Sequence, residues 1–111
     1  MLAGLAISPD TPSTVITDAL GNAADHLLVM TVRPGFGGQK FMVECLSKVT
    51  ELRARFPTKN IQVDGGVGAG NACQCAKAGS NVLVAGTAVF GAQDPQQTIT
   101  EMKSTVNAEF K

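Results

Sequence analysis

A chain of 111 residues holds one domain at most, or a part of one. It is 44% hydrophobic and 16% charged, which points to burial rather than disorder. Nine Lys+Arg balance nine Asp+Glu, so no net basic field steers the chain to nucleic acid or an anionic membrane.

No apolar run approaches the roughly 18 residues of a membrane span. The opening MLAGLAISPD has no basic region and its apolar run is short, which makes a poor signal peptide. Three cysteines, an odd number without framework spacing, read as reduced thiols in an intracellular protein; cytosol or a plastid-like stroma both fit, and a cytoplasmic location is expected.

The first strand is expected at residues 3–7, followed by a helix capped by Thr11, opened by Pro12 and closed by Gly21. A second strand over 26–32 is almost continuously apolar, as a parallel strand buried on both faces should be. Met42, Cys45, Leu46, Val49, Leu52 and Phe56 then follow helical spacing until Pro57 stops them. A third strand over 60–64 leads to a short helix over 71–78 that ends at Gly79. A fourth strand over 81–85 precedes a last helix that starts at Asp94-Pro95, with Ile99, Met102, Val106 and Phe110 as its apolar face.

The order βαβαβαβα demands a parallel sheet with right-handed crossovers. Four such units cannot close a (β/α)₈ barrel, which takes about 200 residues or more. An open doubly wound sheet would gather its ligand at one switch point, from two strand ends. Here three successive strands end in glycine-rich loops, which suits the rim of a barrel better. The reading is an α/β fold, the half of a TIM barrel, with residues 1–111 as one four-unit half-barrel.

Pro34-Gly35-Phe36-Gly37-Gly38 is the first of these loops. Its glycines let backbone N–H groups converge on an anion, and the helix expected after Gln39 adds its positive end. The plainer alternative is a strand-to-helix turn that needs positive φ, but three glycines in four residues exceed that need. Asp64-Gly65-Gly66 places a carboxylate at the end of a buried strand, where it can ligate a metal or shuttle a proton. A simple helix cap is the alternative, and the adjacent Gly-Gly argues against it. Gly86-Thr87-Ala88 is a third cradle, weak alone and strengthened by the other two.

Other residues revert to structural readings. His26 lies far in sequence from any rim loop. Cys73 and Cys75 are two apart, so a helix sends them to nearly opposite sides and they cannot chelate together. Met30 is near the rim and suits either core or pocket. Arg33 and Lys40 are neighbours of the first loop, where backbone amides already suffice. No Ser-His-Asp or metal-ligand cluster is evident.

Taken together, GLAISP at 4–9, LVMTVRPGFGGQKF at 28–41, VDGGVG at 63–68 and AGTAVF at 85–90 resemble the ribulose-phosphate 3-epimerase family. The PGFGGQ-x-F block disfavours other phosphate-binding barrels. The resemblance implies the C-terminal half of a TIM barrel, its fifth strand through its eighth helix. It implies interconversion of D-ribulose 5-phosphate and D-xylulose 5-phosphate by two aspartates on opposite faces of carbon 3, with a divalent metal (Fe2+, Zn2+, Mn2+ or Co2+) steadying the enediolate.

By that resemblance Asp64 is one catalytic acid/base and a metal ligand. Gly35, Phe36, Gly37, Gly38, Gly65, Gly66, Gly86 and Thr87 bind the pentulose 5-phosphate, and Met30 lines the pocket. Arg33 departs from the Asn or Glu frequent there. The family's second Asp, its two metal-binding His residues and an N-terminal Ser belong to the first four strands and have no counterpart here. The isolated chain is therefore expected to be inactive. The alternative is a non-catalytic phosphosugar-binding or oligomerising half-barrel, since two open edges favour a homo-oligomer.

Overall fold

The computed structural model describes residues 2–32 and 40–110. Four strands, β1 (Gly4–Ile7), β2 (His26–Met30), β3 (Asn60–Asp64) and β4 (Val82–Val84), form one parallel sheet in the order β1-β2-β3-β4. Each strand matches the sequence reading within one or two residues at its ends. Among the described residues, five α-helices lie between and after them: α1 (Asp18–Ala23), α2 (Leu46–Arg55), α3 (Ala72–Ala78), α4 (Thr87–Phe90) and α5 (Pro95–Glu109).

Strand side chains alternate between faces, and the two faces of this sheet differ sharply. Ile7, Leu27, Val29, Ile61 and Val63 share one face and are at most 3% exposed. They join Val49, Leu52, Phe56 and Cys75 from the helices in a single core. On the other face the register sets Ala6, Leu28, Gln62 and Val82 in one row, and Met30, Asp64 and Val84 in the next. None of Ala6, Leu28, Met30, Val82 or Val84 belongs to the core. Among the described residues, helices cover one face of this sheet and none covers the other.

The amphipathic spacing of α2 is borne out, with Cys45, Leu46, Val49, Leu52 and Phe56 buried. A single 3₁₀ turn, Val43–Cys45, leads into α2. Arg53 and Arg55 occupy its last turn, where positive charge complements the helix dipole. Arg53 also staples several elements: its Nε donates to the Gly79 carbonyl (2.9 Å), its Nη1 to the Lys59 carbonyl (2.7 Å) and its Nη2 to Asn81 Oδ1 (3.1 Å). Burial lowers its pKa from the ordinary arginine value. Gly79 ends α3 at φ +123°, as the sequence indicates.

The first helix departs from its expected bounds. Thr11 does not cap a helix; its hydroxyl meets that of Ser8 at 2.9 Å, and Pro12 leads into a 3₁₀ turn over Ser13–Val15. The α-helix starts later, where Thr17 Oγ1 accepts the Leu20 N–H (3.3 Å). Gly21 lies inside α1 rather than closing it. Its role is spatial, because a Cβ there would stand 2.1 Å from Cζ of Phe56. The ring ending α2 occupies the space a side chain would need.

Asp94 and Pro95 open α5 as expected, with Asp94 Oδ1 accepting the Gln97 N–H at 3.1 Å. Its apolar face is narrower than the spacing indicates. Met102 and Val106 are buried, whereas Ile99 and Phe110 are 47% and 45% exposed. Ile99 borders an apolar groove between α5 and the free side of β4, lined also by Leu83, Val89 and Met102. Phe110 receives the Arg53 guanidinium 5.6 Å above its ring.

Candidate functional site

Asp64 is the last residue of β3, on the bare face, paired with Met30 of β2 and Val84 of β4. Directly beyond it opens a cavity of about 550 Å³. Asp64, Gly65, Gly66, Val67, Gly68 and Asn71 form one wall, and Val84, Gly86 and Ala88 form the other. The strand-end aspartate and two of the expected glycine loops therefore meet in one place. Met30 flanks Asp64 in its row but is outside the walls of this cavity.

The glycines after Asp64 are required by the backbone. Gly65 has φ +119° and Gly66 φ +71°, a region that L side chains rarely adopt. A Cβ on Gly65 would lie 2.9 Å from the Val32 amide nitrogen, and one on Gly66 would lie 3.0 Å from that of Phe41. Val32 and Phe41 flank the PGFGG segment, so both stems of that first loop press on the Asp64 turn. Gly35, Phe36, Gly37 and Gly38, with Arg33, lie outside the described residues. Lys40 is exposed.

Across the cavity, Gly86 precedes α4 and its carbonyl accepts the N–H of Val89 (3.0 Å) and of Phe90 (2.9 Å). The one-turn helix α4 begins at Thr87, directly after Gly86. A Cβ on Gly68 would come within 3.0 Å of Ala88 Cβ, so the second and third loops are in contact.

Two residues that shape the site escaped the sequence reading. Thr31, 0% exposed, donates its hydroxyl to the carbonyls of Asp64 (3.1 Å) and Gly65 (2.5 Å), while its own N–H donates to Asp64 O (2.9 Å). Asn71 donates from Nδ2 to Gly66 O and accepts the Gly68 N–H at Oδ1, both at 2.9 Å. A hydroxyl ending a continuous apolar run was the available signal for Thr31, since a buried polar group must find partners. Asn71 was visible only as the start of a helix.

A metal is poorly served by what is present. Asp64 is the only carboxylate in the cavity walls, and no group of three or more His, Cys, Asp or Glu suited to a metal exists among the described residues. His26 pairs with Asn60 at the opposite end of the strands from Asp64. Its Nδ1 is buried without a partner among the described residues. The residues present do not fit a complete metal site. Cys73 is exposed and Cys75 buried, as their spacing on α3 requires. Burial pushes the Cys75 thiol from 9.0 up to about 11.

Comparison with known proteins bears on what this arrangement is for. The Ribulose-phosphate 3 epimerase family matches residues 1–90. The ribulose-phosphate 3-epimerase of Candida glabrata is 53% identical over 98% of this chain and 44% of its own length. That of Schizosaccharomyces pombe is 50% identical over 96% of this chain and 46% of its own. The chain thus spans about half the length of these curated relatives. Among solved structures, 3-hexulose-6-phosphate synthase from Salmonella typhimurium superposes with a TM-score of 0.71 at 20% identity, covering 97% of this chain and 50% of that one. The four-stranded sheet is a partial TIM barrel.

Proposed function

Because the chain belongs to the ribulose-phosphate 3-epimerase family, we propose that it is the phosphate-binding half of a barrel that interconverts D-ribulose 5-phosphate and D-xylulose 5-phosphate, with Asp64 as one of two acid/bases. One observation carries this reading: Asp64 opens onto a cavity walled by two glycine loops, with the stems of a third pressing on its turn. Backbone N–H groups near Gly65, Gly66 and Gly86 would hold the phosphate, joined by Gly35, Phe36, Gly37, Gly38 and Thr87. The Asp64 carboxylate takes the proton from carbon 3, and the electron pair moves to the neighbouring carbonyl oxygen. Inversion then needs a proton delivered to the opposite face.

That second proton donor is the missing part. One carboxylate reaches one face of the carbon, so this chain alone does not complete an inversion. The divalent metal that the resemblance implies needs ligands beyond Asp64. In this reading the isolated chain binds the sugar phosphate without turning it over.

Purified chain with ribulose 5-phosphate and Mn2+ tests both statements. Binding of the sugar phosphate with no xylulose 5-phosphate formed supports them. Turnover near that of a full-length relative, abolished by Asp64→Asn, overturns the inactivity. Absence of any binding overturns the site.

A second reading rests on the bare sheet face and the free edges of β1 and β4. These support self-association, with a second copy covering Ala6, Leu28, Val82 and Val84. Equal numbers of positive and negative residues leave no net charge to oppose it. We propose that the protein works in the cytoplasm, in keeping with a 42% identical relative, the cytoplasmic isoform of ribulose-phosphate 3-epimerase from rice. No helix among the described residues is long and apolar enough to cross a membrane.

A further inference from the structure

We propose that Thr31 and Asn71 are positioning residues that build the anion receptor after Asp64, by capturing carbonyls and so aiming amides. The proposal rests on the phosphate-binding reading above. The peptide between Gly65 and Gly66 is trans and planar, so its C=O and N–H point in opposite directions. The Gly65 carbonyl is held by the buried Thr31 hydroxyl. The Gly66 N–H is thereby turned away from the core.

The next peptide repeats the device. Asn71 Nδ2 takes the Gly66 carbonyl at 2.9 Å, which sends the Val67 N–H the other way. Neither the Gly66 nor the Val67 N–H donates to any acceptor among the described residues. Gly66 and Val67 both line the cavity. Asn71 meanwhile takes the Gly68 N–H at Oδ1, so one amide of the turn is satisfied internally while its neighbours stay available. Through the carbonyls they hold, these two side chains thus decide which N–H groups an anion meets. Consecutive free amides of this kind form an anion-binding concavity.

Thr31 ties in a stem of the first loop as well: its carbonyl accepts the Met42 N–H at 2.7 Å. Loss of its hydroxyl loosens the Asp64 turn beside both stems of that loop.

The test is a titration of ¹⁵N-labelled chain with inorganic phosphate, read at individual backbone amides. In the parent chain the Gly66 and Val67 signals should move and saturate, with the Gly68 amide slow to exchange. Thr31→Val and Asn71→Ala should each weaken phosphate about tenfold, the equivalent of one hydrogen bond's geometry. Thr31→Ser, which keeps the hydroxyl, should restore the parent affinity. Asn71→Ala should also free the Gly68 amide to exchange, and circular dichroism should show that each variant folds.

If phosphate moves the Gly66 and Val67 signals with equal affinity in the folded parent, Thr31→Val and Asn71→Ala chains, the positioning role is refuted and the phosphate site stands. If phosphate moves neither signal in the parent chain, the phosphate reading itself fails and takes this proposal with it. Asn71 is on the surface side of the turn, so its variants remain informative should Thr31→Val not fold.

Discussion

Replacing Gly21 by alanine separates helix propensity from packing, because the two act in opposite directions. On propensity alone the change favours α1 by about 1 kcal/mol, the usual advantage of alanine over glycine in a helix interior. The structure sets a larger cost against it. The new Cβ would lie 2.1, 2.5 and 2.7 Å from three atoms of the Phe56 ring. Ordinary carbon contacts are near 3.6 Å, so the ring must retreat by roughly 1.5 Å. It has little freedom to do so. Phe56 is 4% exposed, its N–H is bonded to the Leu52 carbonyl at 2.8 Å, and the Arg55 guanidinium lies 4.9 Å over its ring.

Overpacking of this kind costs about 1–3 kcal/mol, and partial expulsion of a phenylalanine forfeits part of the roughly 1.5–3 kcal/mol its burial provides. The net expectation is a loss of about 1–3 kcal/mol. Urea unfolding should show a lower midpoint with an unchanged slope. In a Phe56→Leu background the same Gly21→Ala change should cost less, and the difference is the coupling energy of the pair. A Gly21→Ala chain as stable as the parent, or more stable, would refute the packing of α1 on the end of α2.

Other outcomes can be stated more briefly. Gly65→Ala should lose about 1–3 kcal/mol from the strained φ alone and abolish any phosphate-induced amide shifts, as urea melts and the same titration would show. Without denaturant at pH 8, a thiol reagent should label Cys73 and spare Cys45 and Cys75; rapid labelling of all three would contradict their burial. The unfolded Cys75 thiol ionises near 9.0 while the folded one keeps its proton to about 11, so the folded chain binds more protons between those values. Stability should therefore fall as pH rises through that window, and Cys75→Ala should flatten the fall in urea midpoints measured from pH 8 to 10. Ala6→Glu, on the bare face, should leave the isolated fold intact and disrupt self-association; sedimentation showing the same assembly for both chains would count against that interface.

What could be read in advance followed from periodicity and punctuation. Continuous apolar runs located β2 and β4, the Val49–Leu52–Phe56 spacing located α2, and Asp94-Pro95 fixed the start of α5. Asp64 and its glycines were legible because a carboxylate and two glycines at a strand end are uncommon for plain packing. Gly21 was misread because one glycine serves either a helix end or a crowded contact, and only the position of Phe56, 35 residues on, decides between them. Ile99 and Phe110 kept helical spacing with nothing among the described residues to bury them fully, so the pattern showed an apolar face without its partner. Thr31 and Asn71 were hidden for another reason: their work is to hold carbonyls that leave no mark in the sequence.

The strand order has a consequence for how the molecule comes apart. Every strand pairs with its neighbour in the chain, so each βα unit rests on the units before and after it rather than on distant ones. Stability in such a stack is close to a sum of unit and nearest-neighbour terms. Opening should then begin at the outer units, where β1 or β4 has a partner on one side only, and reach the β2–β3 seam last. Thr31 and Asp64 belong to that central seam. The turn that carries the carboxylate is thus set in the part of the sheet that should exchange its amide hydrogens most slowly.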